Sequence, residues 1–200
     1  MNIFSTKIQK NRGMTYVEII VVLSIFSIIS SITLFNYRRF QEKVDVKTLV
    51  NDMALKIVET QKDSLSGKMY AGKTPTVNPW KPSYGVSFDM ATPKGFFQFA
   101  DLDQGKTFSD SILCHGSECL NRITITKSSS ISSLLAYYSN GTSTSLADLN
   151  ISFTRPDSSA TFRSNTAFTG SVSYVQITLL SPMGVSSSIK VYPSGRVQIN

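Results

Sequence analysis

Glu18 is the only acid in the first 41 residues, and it stands immediately before an uncharged run, residues 19–37. An ionisable group at the edge of a hydrocarbon-length segment is costly, which marks it as a functional position. Cys114 and Cys119 are the only cysteines, and the only histidine, His115, lies between them. In an oxidising compartment the pair reads as a disulfide, with free thiols as the alternative. A metal centre needs more ligands than two Cys and one His, and none is visible nearby. Asp101, Asp103 and Asp110 form a local acidic group. Calcium takes six to eight oxygens, and the spacing is not that of an EF-hand loop. Asp-x-Asp-x-Gly over 101–105 is also ordinary turn composition, so a calcium site is the lesser reading. Arg196 follows Gly195 and reads as a solvated arginine on a hairpin turn, with a nucleic-acid contact as the alternative.

No catalytic constellation accompanies these residues. There is no Ser/His/acid set and no Gly-rich phosphate loop. Cys114 beside His115 is the one nucleophile–base pair, and neighbours in a strand point to opposite faces. The reading is therefore not an enzyme, and it calls for no cofactor.

The elements that position these groups begin with a helix. Residues 19–37 make 19 uncharged positions, close to the roughly 20 that span a bilayer. Neither proline nor glycine occurs between Met14 and Gly67. Beyond Tyr37 the pattern turns amphipathic, with Phe40, Val44, Val46, Leu49, Val50, Met53, Ile57 and Val58 near 3.6 spacing. A helix over residues 14–65 would be about 78 Å long at 1.5 Å per residue. Ser27 and Ser31 form a small-xxx-small pair that permits close helix approach; helical serines bonded to their own backbone are the competing reading. Residues 67–82 hold two Gly and three Pro and read as a loop. Strands are expected at 84–88, 95–100, 112–113, 122–126, 151–153 and 160–162. The Ser-rich stretch 127–147 is left without a strand, although Asn140-Gly141 signals a turn. Residues 174–179, 188–192 and 196–199 read as an antiparallel meander that closes one sheet. The formal charge is +7; residues 1–13 carry three cations and no acid, leaving +4 for the remainder. That is a weak pull toward polyanions.

The segment K-N-R-G-M-T-Y-V-E over 10–18 resembles the prepilin signal of the type IV pilin and type II secretion pseudopilin superfamily. The matching features are Lys7, Lys10 and Arg12 ahead of Gly13, hydrophobic Met14, Thr15, and Glu18 five places after the glycine. Met14 stands where the family usually has Phe. The order Y-G-V-x-F at 84–88, then F-F-Q-F-A-D at 96–101 and an acidic Gly-containing turn, is similar to heads of GspH/FimT-type minor pilins. The resemblance implies a pilin-like α+β fold, with a long N-terminal helix, membrane-spanning in its first half, packed on an antiparallel β-sheet head. It divides the chain into leader (1–13), membrane or filament-core half-helix (14–37), amphipathic half-helix (38–66) and β-rich head (67–200). It implies cleavage by prepilin peptidase between Gly13 and Met14, N-methylation of Met14, and pairing of Glu18 with a neighbouring subunit's Met14 amine. The implied partners are the peptidase, other pilin or pseudopilin subunits, an inner-membrane assembly platform and membrane lipid.

The expected function is a structural subunit, a minor pilin or pseudopilin, of a pilus or secretion pseudopilus. The expected location is a single-pass inner-membrane protein with a cytoplasmic N-terminus and an exported head. The alternatives are a DNA-binding minor pilin of an uptake filament and a plain signal-anchored surface protein. Some FimT-type proteins bind DNA through a C-terminal Gly-Arg-x-Arg motif. Here it is half present, as Gly195-Arg196-Val197-Gln198. An ordinary secretory signal fits poorly, because no A-x-A-like site follows the apolar run.

Overall fold

The computed structural model of the chain describes residues 13–110, 114 and 116–200. The basic leader cations, the expected strand at Ile112 and Leu113, and His115 lie outside these. The order is one helix, α1 (Tyr16–Ser66), followed by ten strands: β1 (Ser83–Asp89), β2 (Gly95–Ala100), β3 (Cys119–Thr124), β4 (Ser130–Tyr138), β5 (Ser143–Ser145), β6 (Asp148–Thr154), β7 (Ala160–Arg163), β8 (Val172–Leu180), β9 (Ser186–Val191) and β10 (Val197–Ile199). The fold is α+β. Contacts divide the chain into one unit ending at Gln41 and a second, Glu42–Asn200.

In the first unit every described residue is exposed, from Gly13 to Gln41. This half of α1 is the one helix among the described residues long and apolar enough to cross a membrane. Its backbone is satisfied internally, as hydrocarbon demands. Ser24 Oγ donates to Ile20 C=O at 2.8 Å and Thr33 Oγ1 to Ile29 C=O at 2.9 Å. At these two positions the hydroxyls serve their own helix.

In the second unit the strands form two antiparallel five-stranded sheets, β3-β2-β1-β6-β7 and β10-β9-β8-β4-β5. The expected antiparallel head is present and is divided into two sheets, with the β8–β10 meander in the second. β4 falls in the Ser-rich stretch left without a strand. Its serines occupy or flank solvent-facing positions, while Ile131, Leu134, Ala136 and Tyr138 turn inward. β3 begins at Cys119 and ends at Thr124, upstream of the expected 122–126, because it pairs with β2 from Gly95 to Phe99.

Residues 42–66 of α1 supply Val46, Val50, Met53, Ala54 and Ile57 to one core shared with the inner faces of both sheets, including Val86, Phe88, Ile151, Ile177 and Val191. Of the expected apolar stripe, Phe40, Val44 and Val58 are instead exposed. The core face follows Val46, Val50, Met53 and Ile57, spaced four, three and four, with Ala54 beside it and Leu49 packed partly against it. Polar groups fix the same helix face. Gln98 Nε2 donates to Thr60 Oγ1 at 3.0 Å and Ser64 Oγ to Phe153 C=O at 2.7 Å, both buried. Gly67 ends α1 with φ +64°. Lys68 N–H donates to Asp63 C=O at 3.2 Å and Gly67 N–H to Ser64 C=O at 3.1 Å. This paired pattern is how a left-handed glycine closes a helix.

Candidate functional site

The N-terminal segment is built as a helix start. Gly13, Met14 and Thr15 precede α1 in non-helical backbone. Glu18 N–H donates to Thr15 Oγ1 at 3.3 Å, and Thr15 N–H donates to Glu18 Oε2 at 3.5 Å. Thr15 is therefore the N-cap and Glu18 the third helical residue of a capping box. The sequence signal T-x-x-E was legible, and it gives Glu18 a local role beside the one expected. A carboxylate in the first turn also faces the positive end of the helix dipole. Met14 is 69% exposed. A Cβ placed on Gly13 would meet nothing within 4 Å. Among the described residues, nothing covers the Gly13–Met14 peptide.

Behind β1 and β2 a second group of expected residues converges. Cys114 and Cys119 form a disulfide with Cα atoms 5.2 Å apart. Asp110 is not among the described acids that cluster with Asp101 and Asp103. Its Oδ2 accepts the N–H of Cys119 at 3.2 Å, tying it to the disulfide loop. Glu118 takes its place: Asp101, Asp103 and Glu118 bring carboxylate oxygens within 4.8 Å of one another. Glu118 carried no motif, and only the loop's return beside β2 reveals it. Its Oε1 accepts Leu102 N–H at 3.2 Å, and its Oε2 accepts Ser109 N–H at 3.2 Å and Ser109 Oγ at 2.5 Å. It is the organiser of the 101–118 loop.

Asp101 is wholly buried. Ser83 Oγ donates to its Oδ2 at 2.9 Å, while Oδ1 has no partner. Burial pushes its pKa up to about 6, the Ser83 bond and the Lys106 backbone opposing this and Asp103 adding to it. Asp103 Oδ1 accepts Gly105 N–H at 2.8 Å, a local turn bond. Three carboxylates, two of them spent on loop backbone, fall short of the oxygen count a hard cation takes. The group fits a loop-folding role.

No family model matches the chain, and no curated protein or solved structure is significantly similar to it. What the site can do therefore rests on its own geometry.

Four basic residues of the head lie in separate places. Arg122 lies on β3 and Arg163 ends β7, both in the first sheet. Arg196 precedes β10 and Lys190 lies on β9, in the second. The Arg196 guanidinium sits 3.9 Å from the centroid of the Tyr192 ring, and Lys190 Nζ 5.1 Å from that of Tyr174. Arg196 is thus seated on an aromatic ring, and sequence reasoning gave no hint of that row of tyrosines.

Proposed function

We propose that the chain is a structural subunit, a minor pilin or pseudopilin, of a type IV pilus or type II secretion pseudopilus. The observation that carries this reading is the first unit of α1. An apolar helix exposed on every side must be covered by lipid or by like helices, since in water that much apolar surface is strongly unfavourable. The open Gly13–Met14 junction directly before a capped helix start suits a peptidase that cuts at the membrane surface. In this reading prepilin peptidase removes residues 1–13 and methylates Met14. Glu18 then exchanges its bond with Thr15 N–H for the Met14 amine of a neighbour. In hydrocarbon that exchange of a neutral donor for a cation is strongly favoured. The Cys114–Cys119 disulfide supports an exported head, because such bonds persist in oxidising compartments. The cytoplasmic N-terminus, inner-membrane span, assembly platform and subunit partners follow from the same reading.

The test is intact mass after co-expression with a prepilin peptidase of demonstrated activity. The expected product lacks residues 1–13 and carries one added methyl on Met14, and Gly13→Ala abolishes the cut. An uncut wild-type chain would make it a plain signal-anchored protein instead.

A further inference from the structure

The outer face of the second sheet carries a row of tyrosines that the assembly reading above does not invoke. Tyr137 of β4 pairs directly with Tyr174 of β8, their rings stacked with centroids 4.6 Å apart and 16° between planes. Tyr192, just past β9, continues the row, 5.6 Å from Tyr174. Lys190 and Arg196 lie over the Tyr174 and Tyr192 rings. The adjacent register row is Gln198, Lys190, Gln176 and Leu135. None of the five strands contains Asp or Glu.

The electrostatics of this arrangement choose the partner. An aromatic ring is negative on its faces and positive at its edge. Here the faces are turned to one another and to the two cations. What the half-buried rings leave outward is edge and phenol hydroxyl. With Lys190 and Arg196 and no acid on its strands, the strand part of this face is electropositive and rich in donors; the nearest acid the contacts show is Asp157, in the loop packed against Gly195. Cross-strand aromatic pairs also stabilise a sheet, but packing alone does not call for two cations over the rings.

We propose that this face binds an anionic polysaccharide, a chain of hydroxylated rings bearing carboxylate or sulfate groups. Lys190, Arg196 and the hydroxyls of Tyr137 and Tyr174 receive the acid groups, Tyr192 already donating to Gln198 Oε1 at 3.1 Å. Gln176 Nε2 donates to Thr178 Oγ1 at 3.4 Å, and the remaining donor and acceptor capacity of the Gln176 and Gln198 amides matches sugar hydroxyls. Nucleic acid fits less well. Single strands stack bases on open ring faces; here Tyr137 and Tyr174 spend one face each on their mutual stack, and Lys190 and Arg196 lie over Tyr174 and Tyr192. Duplex binding grows with the number of phosphates neutralised, and only two cations stand here. The inference concerns the head alone and survives or fails independently of the assembly reading.

The test uses the full chain in detergent micelles with immobilised polygalacturonate as probe, and dextran and a short random-sequence DNA duplex as comparisons. Polygalacturonate should bind and weaken with added salt, while dextran should not bind. Lys190→Gln with Arg196→Gln should weaken binding at least about tenfold, with at most a small fall in melting temperature from the two lost cation–ring contacts. Binding no stronger than to dextran would overturn the proposal. So would a double variant that binds like wild type. Duplex DNA bound more tightly than polygalacturonate through these two residues would reassign the face to nucleic acid.

Discussion

Asp101 is the residue whose protonation the fold controls most. Its pKa rises to about 6, first because of burial. The folded protein therefore binds a proton more tightly than the unfolded chain, so this group's contribution to stability is greatest below the unfolded carboxylate pKa and falls as pH rises through about 6. Asp101→Asn mimics the protonated form and still accepts the Ser83 hydroxyl. It should raise stability near neutral pH by about 1–2 kcal/mol and flatten the dependence of melting temperature between acid pH and pH 7. Unchanged pH dependence in the variant would show that Asp101 ionises freely. Gly85 is a second constrained residue: a Cβ there would lie 2.6 Å from Phe99 Cε1 and 2.7 Å from the Ile151 carbonyl oxygen. Phe99 is fully buried and cannot retreat. Gly85→Ala should cost about 1–3 kcal/mol in chemical denaturation, and a neutral result would mean that β1 and β2 can part locally.

At the scale of elements, the start of α1 and the disulfide loop make separate predictions. Thr15→Ala removes the hydroxyl that caps Glu18 N–H. In micelles the first-turn amides should exchange faster by a factor corresponding to about 1 kcal/mol, with the rest of α1 unchanged. Equal exchange would mean that the cap is idle. The Cys114–Cys119 loop is short, with a sequence separation of 5. Reduction should lower stability by about 2 kcal/mol or less, measured by thermal melts with and without reductant, and loosen the loop that Glu118 holds. Much of the element plan was legible. Gly67 marked the end of α1, and β1, β2, β6, β7 and the final meander lay at alternating runs. β4 was not, because its inward Leu134 and Ala136 are separated by residues whose burial depends on β8 beside them.

Across the whole molecule, residues 42–66 of α1 and both sheets share one core. Ile57 is fully buried in it. Ile57→Ala should lower the stability of the head by about 2–5 kcal/mol while leaving membrane extraction behaviour unchanged, because the apolar run 19–37 is untouched. Loss of membrane association in that variant would show that the head, and not the apolar helix, anchors the chain.

The apolar span, the glycine ahead of it, the helix stop and the Cys pair could be read from the chain alone. Each of these depends on neighbours within a few residues, where periodicity, backbone freedom and proximity act directly. The split into two sheets, the placing of Glu118 beside Asp101 and the tyrosine row under Lys190 and Arg196 emerge only from the folded chain. Those rest on strand pairings between distant segments, such as Tyr137 with Tyr174. The energy that selects such pairings comes from burying a shared core, which no local run of residues encodes.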